Sequence, residues 1–263
     1  MTPKEKEDLL RFAVNLARKA GTITLDYYGK ITDVDWKEDL SPVTKADKEA
    51  EKWMRGRIRE TFPDHGIIGE EFGTENPGSP VQWILDPIDG TRSFIHRIPL
   101  YTTLIGITVE NRPEIGVIYA PVTDELCEAA TGLGAKYNGR ECRAGSAKDL
   151  SSATLLSTDI TTIRQEGLFE PFSELLDRVR LHRTWGDAYG HMMVAAGRAD
   201  IMFDPVLNIW DAAALMPVLQ ESGGLFLDFR GEASINSGHG FSSSRHLAGE
   251  VLDVMARYQR NKL

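Results

Sequence analysis

Two aspartates stand where a buried strand should end. The run Val81-Gln82-Trp83-Ile84-Leu85 is apolar and stops abruptly at Asp86-Pro87-Ile88-Asp89-Gly90-Thr91. Packing gives no reason for carboxylates at the end of such a strand. Cation chemistry does, because carboxylates and an exposed backbone carbonyl, here that of Ile88, are the hard oxygen donors that Mg²⁺ prefers. Gly90 and Thr91 follow with backbone N–H groups and a hydroxyl. A helix starting at Thr91 would present its N-terminus to a phosphate oxygen. An Asx-type turn at Asp86 and Asp89, with Thr91 as a helix cap, accounts for the same residues as well.

Three more carboxylate elements flank this turn. Gly69-Glu70-Glu71 follows the apolar pair Ile67-Ile68, and adjacent glutamates there are often only solvated. In Thr44-Lys45-Ala46-Asp47, the aspartate falls at the third position of a helix, where a negative charge suits the helix dipole. In Trp210-Asp211-Ala212-Ala213-Ala214, Asp211 opens a helix of small residues and equally suits a cap.

The elements that must position these groups alternate along the chain. Thr2, Pro3 and Glu5 spell a capping box, and Leu9, Phe12, Ala13, Leu16, Ala20 and Ile23 continue at helical spacing until Gly29. A second helix is predicted over residues 44–60, with Ala46, Ala50, Trp53 and Ile58 on its apolar face. Residues 102–110, 114–120 and 125–130 are rich in β-branched side chains and read as an antiparallel meander. Short apolar runs at 154–157, 201–203 and 225–227 lie between helical stretches at 167–179, 188–199, 210–221 and 245–260, which predicts layered α/β architecture. A boundary near residues 140–150 would divide the chain into an N-terminal α+β subdomain, 1–145, and a C-terminal α/β subdomain, 146–263.

Composition narrows the function. The 263 residues carry a formal charge of −9, which argues against a nucleic-acid partner, since phosphate backbones need clustered Lys and Arg. No apolar run is long enough to span a bilayer, so no membrane partner is expected. The first residues are too charged for a signal peptide. Cys127 and Cys142 fit neither a disulfide scaffold nor a zinc site, and a cytoplasmic location is expected.

Together, the four carboxylate elements resemble the inositol monophosphatase-like family of Mg²⁺-dependent, lithium-sensitive phosphatases. The stretches that carry the likeness are Gly69-Glu70-Glu71, Trp83-Ile84-Leu85-Asp86-Pro87-Ile88-Asp89-Gly90-Thr91 and Asn208-Ile209-Trp210-Asp211-Ala212-Ala213. Gly197-Arg198-Ala199-Asp200 and Glu221-Ser222-Gly223-Gly224 extend it over nearly the whole chain. The resemblance implies a five-layer α-β-α-β-α sandwich of the inositol monophosphatase and fructose-bisphosphatase type, and a homodimer. It implies that Glu70, Asp86, the Ile88 carbonyl, Asp89 and Asp211 ligate two or three Mg²⁺ ions. It implies an Asp47–Thr91 hydrogen-bonded pair beside the attacking water, with Glu70 sharing in activation of that water. The Gly90 and Thr91 amides would hold the phosphate, and Lys37 lies near the position of a family lysine. The chemistry is coherent, because a phosphate monoester hydrolyses very slowly unaided and paired cations about 4 Å apart can clamp both the attacking and the leaving oxygen.

The resemblance implies that the substrate is a small phosphate ester. Arg183-Thr184-Trp185-Gly186-Asp187-Ala188-Tyr189-Gly190 and Asp204-Pro205-Val206-Leu207-Asn208-Ile209-Trp210-Asp211 look like the histidinol-phosphate phosphatase branch, which makes Arg183, Asp187, Asp204 and Asn208 candidate substrate contacts. Inositol-type members usually carry Ser, Thr or Ala where Asp187 stands, and many have Asn where Arg92 follows the D-G-T. Aspartates at 187 and 204 would complement the ammonium and imidazole of histidinol phosphate. They would equally serve as a helix cap and a turn residue. His191, Trp185 and Trp210 read as structural. An inositol, sugar or nucleotide phosphatase is the alternative. A silent phosphometabolite-binding protein ranks last, since such a protein should have lost metal ligands and none of the four acidic ones is missing.

Overall fold

The computed structural model describes residues 1–30, 35–36 and 42–260. The first half runs α1 (Pro3–Tyr27), β1 (Asp35–Trp36), β2 (Pro42–Val43), α2 (Lys45–Thr61), β3 (Gly66–Gly69), β4 (Gly73–Glu75), β5 (Val81–Asp89), α3 (Thr91–Ile95), β6 (Thr102–Val109), β7 (Arg112–Ala120), β8 (Glu125–Ala130), β9 (Gly134–Tyr137) and β10 (Arg140–Glu141). The second half runs β11 (Thr154–Ser157), α4 (Ile160–Gln165), α5 (Phe169–Arg178), β12 (Leu181–Arg183), α6 (Asp187–Ala195), β13 (Ile201–Asp204), α7 (Ile209–Glu221), β14 (Gly224–Leu227), β15 (Gly240–Ser244) and α8 (Arg245–Arg260).

Strands β1 and β2 pair with each other; of the two larger sheets, one has eight strands in the order β10-β9-β8-β7-β6-β5-β3-β4 and the other five in the order β12-β11-β13-β15-β14. Helices α1 and α2 cover the outer face of the large sheet. Helices α6 and α7 fill the space between the sheets, and α4, α5 and α8 cover the far face of the small one. The result is the expected five-layer sandwich. Strand periodicity explains it. Trp83, Leu85, Ile105, Ile107, Ile115 and Val117 point under α1 and α2, whereas Ile84, Leu104 and Ile118 point the other way toward α6 and α7. A strand covered on both faces reads as an unbroken apolar run.

Small residues let α7 approach the large sheet closely. Gly106 and Gly116 face each other across β6 and β7. A Cβ on Gly106 would lie 2.6 Å from that of Ala213, and one on Gly116 would run into the Ala214 carbonyl. This contact explains the alanines after Asp211, and it delivers the N-terminus of α7 to the end of β5. Cys127 and Cys142 are free thiols, as expected. Among the described residues, no helix is long and apolar enough to cross a membrane.

Candidate active site

In a regular strand, residues three apart face opposite sides. The end of β5 departs from this: Asp86 pairs with Leu104 and Asp89 with Thr102, so three steps on β5 oppose two on β6. This bulge lets both carboxylates turn toward one site. Pro87 sits within it and has no N–H to leave unpaired; its carbonyl accepts the Thr103 hydroxyl at 2.9 Å.

The side chains of Asp86, Asp89 and Asp211 are each held by hydrogen bonds. Asp86 Oδ1 accepts the Ile88 N–H at 2.9 Å, so the anticipated Asx turn is present and orients the carboxylate. Asp89 Oδ2 accepts the Thr102 hydroxyl at 3.1 Å and the Ala188 N–H of α6 at 2.7 Å. Asp211 Oδ2 accepts the Asn208 N–H at 2.6 Å and its side-chain amide at 3.3 Å. Oxygens of Asp86, Asp89 and Asp211 all lie within 4.8 Å of one another. Glu70 joins them, its N–H bonded to the Leu85 carbonyl at 3.3 Å and its charge acting on both Asp86 and Asp211.

Asp47 and Thr91 differ from expectation. Asp47 Oδ2 accepts the Thr44 N–H (2.8 Å) and hydroxyl (2.5 Å), while Oδ1 is buried with no partner among the described residues. The Thr91 hydroxyl donates to the Ile88 carbonyl at 3.1 Å. No hydrogen bond joins Asp47 to Thr91 here: the Thr91 hydroxyl donates to Ile88, and Asp47 commits Oδ2 to Thr44. Nor is Thr91 the cap of α3. That position belongs to Gly90, whose φ of 80° is left-handed and favours glycine.

Repulsion and burial set the electrostatics. Burial, reinforced by the charge of Glu70, pushes the Asp86 carboxyl well above the ordinary range. Burial and Asp187 do the same to Asp89, and burial and Asp89 to Asp211. Asp187 is pushed up to about 7 by burial, then by Asp204 and Asp211. Asp47 is also pushed up to about 7 by burial, against the Thr44 hydrogen bonds that lower it. Carboxylates this crowded ionise together only when cations offset them. An all-oxygen donor set of this kind fits a hard divalent cation. The N-termini of α3, α6 and α7 converge on the same place and add partial positive charge.

Asp187 begins α6 with a φ of 55°. Its Oδ2 lies 2.8 Å from where a Gly90 Cβ would stand, so only glycine lets the two approach. The Asp187 N–H donates to the Thr158 hydroxyl at 3.0 Å, and that hydroxyl donates to Asp204 Oδ2 at 3.2 Å. Thr158 thus ties the two aspartates together, and sequence reading missed it. A lone threonine after a short strand carries no distinguishing signal. His191 is fully buried, hydrogen-bonded to Ser242 at 2.5 Å, with Nε2 3.8 Å from Asp204.

Other expected contacts fall differently. Asn208 is exposed and its amide serves Asp211. Arg183 is exposed on the edge strand β12 and donates to the His182 carbonyl at 2.7 Å. The cation that acts on both Asp187 and Asp159 is instead Arg92. Trp210 packs against the inter-sheet core as expected, but Trp185 is 40% exposed. Lys37 lies outside the described residues.

Known proteins resemble this chain over nearly its whole length. The family model for the inositol monophosphatase family matches residues 5–260. The chain is 42% identical over 244 residues to a histidinol-phosphatase of Chlorobaculum parvum, covering 92% of this chain and 94% of that one. It is 35% identical over 254 residues to Nus factor SuhB of Pasteurella multocida, covering 93% and 94%. Among solved structures, an inositol monophosphatase from Zymomonas mobilis superposes with a TM-score of 0.85 at 32% identity, covering 95% of this chain and 98% of that one.

Proposed function

The chain belongs to the inositol monophosphatase family and is a phosphoric monoester hydrolase, and from that premise we propose that its substrate is L-histidinol phosphate, which it hydrolyses to L-histidinol and phosphate with Mg²⁺ in histidine biosynthesis. The observation that carries the substrate reading is the Asp187–Thr158–Asp204 arrangement beside Gly90. Thr158 links the main chain at Asp187 to the Asp204 carboxylate, and the two acidic side chains, close enough to repel each other, make a site for a cation. Histidinol phosphate brings an ammonium and an imidazole to it, whereas inositol phosphate brings only hydroxyls. The 42% identity to a histidinol-phosphatase supports the same choice.

Glu70, Asp86, Asp89, Asp211 and the Ile88 carbonyl would hold the Mg²⁺ ions. When bound, Mg²⁺ supplies a water of lowered pKa and neutralises charge that develops on the phosphate and the departing oxygen. The Gly90 and Thr91 N–H groups, at a helix start with no intrahelical acceptor, would hold a phosphate oxygen. The Thr91 hydroxyl donates to Ile88, and its lone pairs remain to accept a hydrogen bond from the attacking water. The Glu70 carboxylate would take the proton of that water. Asp187 and Asp204 would receive the substrate ammonium.

Phosphate release from L-histidinol phosphate and from inositol 1-phosphate, both with Mg²⁺, tests the substrate. A higher kcat/KM on histidinol phosphate is expected. A higher value on inositol 1-phosphate would assign the inositol-monophosphatase activity carried in the name of the Zymomonas mobilis relative instead.

A further inference from the structure

Helix α2 carries three charged residues at successive turns, Asp47, Glu51 and Arg55. All are buried, with relative exposures of 1%, 0% and 4%. Positions four apart share one helix face, so this is a charged stripe turned inward. Such groups are tolerated only where each finds partners. Glu51 has three. Its Oε1 accepts Arg55 Nε at 2.7 Å and the Phe72 N–H at 3.2 Å, and its Oε2 accepts the Glu71 N–H at 2.8 Å. The Arg55 guanidinium continues to the Gly73 carbonyl and lies 3.5 Å from Glu75. These contacts converge on the turn between β3 and β4, where Glu70 sits. Gly69, just before it, lacks a side chain where a Cβ would collide with the Glu51 carboxylate.

We propose that Glu51 is a positioning residue for the metal site: it grips the N–H groups of Glu71 and Phe72 and thereby holds Glu70 beside Asp86 and Asp211. The proposal rests on the reading of Glu70 as a metal ligand. A salt bridge serving stability alone would need Arg55 only. Glu51 instead reaches over the turn, and both of its oxygens accept backbone N–H groups there. Glutamine at this position keeps the volume, but its NH₂ faces an N–H that needs an acceptor. The turn would then lose one grip and Arg55 its nearer, buried counter-charge.

The test is calorimetric Mg²⁺ titration of the metal-stripped full chain, in wild type, Glu51→Gln, Glu70→Gln and the double variant. Residues that orient metal ligands typically contribute about 10–100-fold in affinity. Glu51→Gln is expected to weaken Mg²⁺ binding by about that factor. Glu70→Gln should weaken it at least as much, and the double variant no further than Glu70→Gln. Wild-type affinity in Glu51→Gln, with Glu70→Gln weakened, overturns the proposal and leaves the ligand reading intact. Wild-type affinity in Glu70→Gln overturns the ligand reading itself. Ile58→Val, a core change on the same helix, controls for destabilisation. It should lower the thermal midpoint and leave Mg²⁺ affinity unchanged; an equal loss of affinity would overturn the proposal. If Glu51→Gln fails to fold, Gly69→Ala disturbs the same contact from the opposite side. It is expected to weaken Mg²⁺ binding, and wild-type affinity there would overturn the proposal.

Discussion

Replacing Asp187 by asparagine removes a charge and little else. Asparagine has nearly the same shape, and it is among the residues that best tolerate the left-handed backbone Asp187 adopts at φ 55°. The bond from residue 187 to Thr158 comes from the main-chain N–H, so it survives the change. The metal-site carboxylates keep their partners too, and Asp89 loses a repelling neighbour. What is lost is one charge-assisted contact to the substrate ammonium, worth roughly 1.5–3 kcal/mol. That energy corresponds to a fall of about 10- to 150-fold in kcat/KM on L-histidinol phosphate. Glycerol phosphate has no ammonium, and its hydrolysis should change little. The assay is phosphate release by wild type, Asp187→Asn and Asp204→Asn on both esters at saturating Mg²⁺. Equal losses on the two esters would refute the reasoning, because recognition of the leaving group cannot affect an ester that lacks the recognised group.

Asp89→Asn should abolish turnover even at saturating Mg²⁺, since it removes a charge from the cluster while keeping the shape; near-normal phosphate release would refute the metal role. Thr91→Ala should lower kcat far more than it raises KM, because orienting the water matters most in the transition state; a change confined to KM would contradict it. The metal-free chain should melt at lower temperature as pH rises. Asp47 and Asp187, each pushed up to about 7 from an ordinary 3.8, stabilise the fold while protonated, and this contribution is lost as pH climbs through the raised values. Mg²⁺ at a hundred times its dissociation constant should restore about 2.7 kcal/mol, roughly 5–10 °C in a chain of this size. A metal-free midpoint that rises between pH 5 and 8 would contradict the raised values.

The acidic cluster was legible because its chemistry conflicts with its setting. Asp86 and Asp89 interrupt an apolar run, and the bulge that reconciles them with a strand is invisible to periodicity but implied by the odd spacing. The helix start at residue 44 was readable from capping chemistry, whereas α7 is capped by Asn208 rather than by Asp211 as the sequence suggested. Capping also explains why Asp47 and Asp211 each commit an oxygen to the N-cap residue. The Glu51–Arg55 stripe is not legible in the sequence, because apolar spacing on α2 carries no information about its charges and such charges are usually solvated. Strand β15 is hidden for a similar reason. Its serines Ser242, Ser243 and Ser244 carry no hydrophobic signal, yet all are buried because β15 lies between β13 and β14. Arg92 stood in view beside the D-G-T, but its reach to Asp187 and Asp159 depends on how α3 faces α4 and α6, which no local pattern encodes. The Asp47–Thr91 pairing differs because the Thr91 hydroxyl donates to the Ile88 carbonyl, a local contact that the resemblance does not imply.

The most direct measurement is steady-state phosphate release from L-histidinol phosphate by the metal-stripped full chain as Mg²⁺ is restored. Expected is no release with chelator present, and saturable recovery as Mg²⁺ is added, with the same recovery absent in Asp211→Asn. Full turnover in excess chelator, or unchanged recovery in Asp211→Asn, would contradict a cation-dependent phosphatase centred on Asp86, Asp89 and Asp211.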